Sequence, residues 1–266
     1  MKCREIIEIL ERLAPRACAC DWDNPGLLAG RQEKEVKKLL LTVGADDVGV
    51  AEAIRGGADM ILSHHPLIFK PVRHVSDEDF IGRRLVSMIQ ADISYFAMHT
   101  NYDAAPGCMA DQAAERIGIL GGMPLEPMGE LAGIPYGIGK IGELKTPVSG
   151  KELAELVKNT FGLPFVTVYG GELFETEPIR RAAVCPGSGG STISAALKGG
   201  AQVLITGDIS HHEGIDAAAQ GMMILDGGHY GLEHIFLEDM EAYLKRELGN
   251  EIVIEKMPVR FPAQMI

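Results

Sequence analysis

The 266-residue chain is 46% apolar and 23% charged, with a formal net charge of −12; this is the make-up of a soluble globular protein, long enough to bury a real core as one large domain or two ordinary ones. The acidic balance argues against nonspecific nucleic-acid binding, which needs clustered Lys and Arg, and no apolar stretch approaches membrane-spanning length. Met1–Glu5 lacks a signal-peptide core. The five scattered cysteines, Cys3, Cys18, Cys20, Cys108 and Cys185, argue against a disulfide framework and suit a reducing cytoplasm.

Residues 2–13 place Ile6, Ile7, Ile9, Leu10 and Leu13 on one face of an expected helix, which Pro15 ends. A turn-rich segment follows, Asp21-Trp22-Asp23-Asn24-Pro25-Gly26-Leu27-Leu28, holding the only tryptophan. Lys38–Val43 is a continuous apolar run bounded by glycine, the pattern of a strand buried on both faces. Expected next are a helix over 48–55, a strand over 59–62, a helix over 77–90 and a strand over 93–98. Strands and helices alternating at this spacing form a parallel α/β sheet.

The second half repeats the first. At an offset of 143 residues, Ala53-Ile54-Arg55-Gly56-Gly57-Ala58 lies over Ala196-Leu197-Lys198-Gly199-Gly200-Ala201, and Met60-Ile61-Leu62-Ser63 over Val203-Leu204-Ile205-Thr206. The third strands correspond as well, Ile93–Met98 with Met222–Leu225. Between the halves, 121–131 reads as a short connection, followed by a strand over 136–144, a helix over 151–161 opened by Ser149, and a strand over 165–168. A helix over 231–248 and an edge strand over 251–255 complete the chain. These elements divide it into two lobes, 1–120 and 121–266.

The unusual polar residues gather where strands end, the place at which open α/β sheets bind ligands. The most conspicuous are His64 and His65 in Ser63-His64-His65-Pro66. Pro66 biases His65 toward extended geometry, so the pair is expected to point to opposite sides and to reach two different places. Alone they read equally well as loop histidines. The first half adds His99 and Asp103; the second adds Asp208, His211, His212, His229 and Glu233. His229 and Glu233 stand at i, i+4, one face of a helix start, the spacing with which zincin helices hold metal. Imidazole and carboxylate without thiolate suit iron, zinc, manganese, cobalt or nickel. Five ligands, His64, His65, Asp103, His229 and Glu233, exceed an open mononuclear site but fit two ions about 3.5–4 Å apart that share a carboxylate. The glycines of Pro186-Gly187-Ser188-Gly189-Gly190 fit either a phosphate cradle or a tight turn.

Asp21–Leu27, Ile61–Phe69, His99–Asp103, Pro186–Gly189, Ile205–Asp208 and Gly228–Glu233 together resemble the NIF-three-like family of dinuclear-metal proteins, many of which carry the name GTP cyclohydrolase type 2 homologue. The resemblance implies an α/β fold of two related halves with mainly parallel strands around a central dinuclear metal cleft. It also implies a toroidal homohexamer, a trimer of dimers. The metal ligands it implies are the five residues above, with Glu233 as the bridge; His99 falls to a proton-transfer role and Asp208 to one beside the ligands. The function implied is a metal-dependent hydrolase acting on a nucleotide or small phosphorylated substrate. The competing reading is a non-enzymatic, ring-shaped metal-binding scaffold or regulator. Cys108 stands where the family usually has a glycine, and Gly44-Ala45-Asp46-Asp47 departs from the usual start after the first strand, which weakens any role for Asp46.

Overall fold

The computed structural model describes residues 1–175 and 177–264; Thr176, at the end of the expected connector, and the last two residues lie outside the described residues. In chain order the strands are β1 (Gly26–Ala29), β2 (Lys38–Thr42), β3 (Met60–Ser63), β4 (Ser94–Ala97), β5 (Ile119–Leu131), β6 (Ile134–Val148), β7 (Thr167–Tyr169), β8 (Ile179–Ser188), β9 (Val203–Gly207), β10 (Met223–Asp226) and β11 (Val253–Lys256). They form two sheets, ordered β1-β4-β3-β2-β11 and β5-β6-β8-β9-β10-β7. Contacts divide the chain into two compact units, Met1–Tyr102 with Phe236–Arg260, and Asp103–Ile235 with the tail from Phe261. The sequence alone suggested a single cut at 120/121. The cuts fall elsewhere because the C-terminal helix and β11 belong with the first sheet. Among the described residues no helix is long and apolar enough to cross a membrane, and no disulfide links the cysteines.

In the first unit β4, β3, β2 and β11 run parallel. Leu39, Leu41, Met60 and Leu62 are buried as fully as Leu40 and Ile61, so this sheet is covered on both faces, as its uninterrupted apolar runs require. One face packs on the helices Asp47–Gly56 and Phe80–Gln90 through Val50, Ala53, Leu85 and Met88. Asp46 and Asp79 cap these helices, accepting from Gly49 N at 2.7 Å and Gly82 N at 2.8 Å; Asp46 therefore has a structural task. The helices Cys3–Leu13 and Ile235–Leu248 contribute further buried residues, and Tyr243 Oη donates to the Ile9 carbonyl at 2.9 Å.

In the second unit β8, β9 and β10 are parallel, whereas β5, β6 and β7 add antiparallel pairs, so this sheet is mixed. Residues 121–131, expected as a short connection, belong to β5. This strand carries Pro124, Pro127 and three glycines. Such a sequence is tolerated because β5 is an edge strand with bulges at Leu120/Met123 and Pro127/Gly129. The helix Gly150–Thr160 starts at Ser149, which forms a capping box with Glu152.

The internal repeat goes further than the sequence match. The order β4-β3-β2 recurs as β10-β9-β8, all parallel, and each third strand carries an antiparallel neighbour drawn from upstream, β1 on β4 and β7 on β10. Each unit therefore contains one copy of the same four-stranded arrangement.

Candidate metal centre

Strand register assembles the donors of the first unit. Ser63 pairs with Ala97, which brings residues just past β3 beside those just past β4. Met98 N donates to the Ser63 carbonyl at 2.9 Å, and His64 N and His65 N still reach the carbonyls of Thr42 and Val43. The chain then bends at both histidines. Their rings do not diverge to opposite sides as an extended segment would have them; the centroids are 4.9 Å apart. The bend is fixed by the hydroxyls of Ser63 and Tyr95, 2.5 Å from each other and each 2.7 Å from the His65 carbonyl. His64 is fully buried. Its Nδ1 lies 2.8 Å from the Met98 carbonyl, and a carbonyl can only accept, so Nδ1 carries the proton and the Nε2 lone pair is left for a ligand role. Side-chain nitrogens of His64, His65 and His99 lie within 4.8 Å of one another.

Asp23 is a residue whose part sequence reading did not foresee. Its Oδ1 lies 2.7 Å from His99 Nδ1, and Oδ2 accepts from Thr100 N at 2.9 Å and Thr100 Oγ1 at 2.6 Å. Burial alone would raise its pKa, but the hydrogen bonds from His99 and Thr100 overcome this and lower it to about 2. A carboxylate accepting from one imidazole nitrogen fixes the ring and the tautomer, leaving the other nitrogen to exchange a proton or bind an ion. The motif that held Asp23 was visible, but its partner stands 76 residues away. A depressed carboxyl pKa stabilises the folded state above the ordinary 3.8, and that contribution disappears as pH falls through about 2. Asp23→Asn is expected to cost on the order of 2 kcal/mol at pH 6 and to flatten this acid limb in urea titrations. Parallel wild-type and variant curves from pH 6 to 2 would refute the assignment.

The second unit repeats the logic with different residues. Thr206 pairs with Asp226 and Ser188 with Gly207, so the ends of β8, β9 and β10 lie level. Between Val184 and Ser188 the β8–β9 ladder slips, a bulge that holds Gly187 at φ +83°. The short helix His229–Glu233 follows β10. His229 Nδ1 lies 2.8 Å from Asp208 Oδ2, and its Nε2 lies 3.2 Å from Glu233 Oε1. Burial alone would lower the His229 pKa, yet the Glu233 carboxylate, with Asp208 behind it, raises it to about 9. Near neutral pH the ring therefore carries two protons, and an ion taken up at Nε2 must displace one. Glu233 is only 2% exposed. Carboxylate oxygens of Asp103 and Glu233 lie within 4.8 Å of each other, an arrangement that repels unless a cation or proton offsets the charge. Two acids with an imidazole form a donor set suited to a divalent transition ion.

Several other residues are now placed. His211 and His212 begin the helix His211–Ala219, exposed, with ring centroids 5.3 Å apart; no donor group among the described residues includes them. Cys108 is fully buried at the start of the helix Met109–Ile117. Burial, with the Asp103 carboxylate next, pushes the Cys185 thiol up to about 12, so it stays protonated and is a poor ligand. The glycines of 186–190 answer to steric demands. A Cβ on Gly187 would sit 2.5 Å from Glu233 Oε1, and one on Gly189 2.0 Å from Thr206 Oγ1. The helix that follows, Ile193–Lys198, is too short to make a phosphate site.

The family model DUF34/NIF3 (NGG1p interacting factor 3) matches residues 1–260. A protein of Clostridium perfringens named GTP cyclohydrolase 1 type 2 homolog is 33% identical over 95% of this chain and 94% of its own length. NIF3-like protein 1 of Drosophila melanogaster is 32% identical over 95% and 85%. Among solved structures, reduced HcgD from Methanocaldococcus jannaschii superposes with a TM-score of 0.83 at 29% identity, covering 98% of both chains. A Bacillus cereus protein related to NIF3 matches the fold with a TM-score of 0.87 at 23% identity, covering 100% of this chain and 99% of its own. The chain belongs to the DUF34/NIF3 family.

Proposed function

We propose that the protein is a metal-dependent hydrolase in which His64, His65, Asp103, His229 and Glu233 hold two divalent ions, and that its substrate is a nucleotide or another small phosphorylated molecule. The observation that carries this reading is the pair of carboxylates, Asp103 and buried Glu233, within 4.8 Å of each other beside an imidazole nitrogen 3.2 Å from Glu233. Such a group is costly to bury without a cation. Divalent ions there would polarise a substrate oxygen and bring the pKa of a bound water toward neutrality.

The chain's own residues supply the rest. Glu233 would offer both carboxylate oxygens as donors and so could serve both ions. Asp208 holds the His229 ring through Nδ1, leaving Nε2 for an ion. His99, gripped through Nδ1 by Asp23, presents Nε2 as the group that takes or returns a proton. The toroidal hexamer that the resemblance implies is part of this proposal, and light scattering on the purified protein should then give six times the 28.7 kDa chain mass.

The test is to quantify metals in the purified protein and to assay GTP and a panel of phosphoesters with and without chelator. Two ions per chain and a turnover abolished by chelation are expected. Turnover that survives chelation, or a protein with two ions that turns over none of these compounds, overturns the hydrolase reading, and the second outcome favours a metal-binding scaffold.

A further inference from the structure

The chain's one tryptophan is not among the candidate metal donors. Trp22 is 62% exposed and Phe69 46% exposed. Their rings meet edge-on with centroids 5.8 Å apart, and they stand 6.2 and 6.3 Å from the His99 imidazole. The two rings come from different loops of the first unit, and the loops are pinned together. Asn24 Nδ2 donates to the Ile68 carbonyl at 2.6 Å, while neighbouring Asp23 grips His99 and Thr100. Three consecutive residues thus present one ring, fix the histidine beside it and hold the loop that carries the second ring. Large aromatics held in water in a fixed array mark a contact surface.

The charge beside them narrows what makes that contact. Lys70 follows Phe69 directly, and Arg73 stands three residues on, both exposed. Among the described residues neither makes an ion pair, in a chain of net charge −12 several of whose other cations, Arg31, Lys38, Arg84 and Lys140 among them, are held by carboxylates. Two exposed cations without an ion pair, one adjoining Phe69 in the chain and the other three residues further along the same loop, suit a molecule that is both planar and anionic.

We infer that the loops Asp21–Pro25 and Pro66–Arg73 bind a nucleotide, its base against Trp22 and Phe69 and its phosphates on Lys70 and Arg73, with His99 at the edge of the bound molecule. That the bound nucleotide is the substrate rests on the hydrolase reading above; the binding itself does not. Base–aromatic stacking contributes about 1–3 kcal/mol per base, or roughly 5- to 150-fold in affinity. The phosphate contacts add attraction that salt weakens.

Because Trp22 is the only tryptophan, its fluorescence reports on the site. The full-length protein is titrated with GTP, ATP, guanosine and ribose 5-phosphate, by fluorescence and by calorimetry, with metal content and light scattering measured on every sample. GTP or ATP is expected to bind with a fluorescence change, and guanosine and ribose 5-phosphate at least about tenfold more weakly, as each keeps only half of the contacts. Phe69→Ala and Trp22→Ala should weaken the nucleotide about tenfold and leave ribose 5-phosphate unaffected. The pair Lys70→Ala and Arg73→Ala should weaken the nucleotide, flatten its salt dependence and leave guanosine unaffected. Metal content should match wild type in all of them. A metal-loaded protein that ignores both nucleotides overturns this inference and leaves the metal reading standing, whereas nucleotide binding by a protein without metal does the reverse. Aromatic variants that keep their nucleotide affinity but change the number of chains per particle also overturn it, and make the ring pair an interface between copies.

Discussion

Gly187→Ala is expected to be among the most damaging single-methyl changes in this chain, lowering stability by about 3–5 kcal/mol and removing most of the bound metal. Two independent costs meet at this residue. Its φ of +83° lies in the left-handed region, which glycine enters freely and alanine only with strain. The added Cβ would also sit 2.5 Å from Glu233 Oε1 and 3.7 Å from His229 Nε2. Glu233 is buried and has little room to retreat, so the clash is relieved by moving the carboxylate off its donor position. Gly207→Ala makes a separating control. Its Cβ would meet the backbone nitrogen of His229 at 2.4 Å, without a positive φ, so it displaces the helix start rather than the carboxylate alone. Both variants should show lower urea midpoints and lower metal content, with the larger loss of metal per unit of stability in Gly187→Ala. A Gly187→Ala protein with wild-type midpoint and metal content would show that Glu233 is not held where its chemistry requires.

The sequence carried the parts of this fold that burial dictates. Lys38–Thr42, Met60–Ser63 and Ser94–Ala97 are covered on both faces, so each is apolar but for the residues at its ends, and such stretches read as parallel strands. The strands that escaped are edge or near-edge pieces. Gly26–Ala29 is a short strand at the edge of its sheet, hidden behind Asn24-Pro25, and Ile119–Leu131 breaks its alternation with glycines, prolines and bulges. An edge strand needs only one partner and tolerates residues that a central strand cannot. For the same reason the sequence match between the halves, which starts past β2 and β8 at Ala53 over Ala196, missed β1 and β7, which pair alike but share no pattern. Within the site the donor types and the strand ends were legible, because each lies next to a strand that was. The roles of Asp23 and Gly187 were not. They depend on partners 76 and 46 residues distant, which only register brings together. The divergence expected of His64 and His65 failed for a local reason, since alternation holds within a strand and the chain bends where β3 stops.

Glu233→Gln separates the metal reading from every purely structural account of these residues. The amide keeps the volume and a carbonyl oxygen, so the helix His229–Glu233 and the contact with Gly187 survive; what goes is the charge and the second equivalent oxygen that a bridging donor needs. Metal content is expected to fall from two ions per chain to less than one. A ligand present at a hundred times its Kd stabilises by about 2.7 kcal/mol, which for a chain of this size raises the melting temperature by about 5–10 °C. Wild type should lose that increment on chelation, and Glu233→Gln should melt at one temperature with or without chelator. A second readout lies in His229. Its pKa is raised to about 9 against the lowering effect of burial, with Glu233 the larger of the two carboxylate influences. In chelated protein the amide should therefore bring the His229 titration, followed by NMR, down toward the ordinary 6.5. A structural role for Glu233 predicts the His229 change but no change in metal. Two ions per chain retained by Glu233→Gln would remove Glu233 from the bridge and shift the burden of holding both ions to the remaining donors.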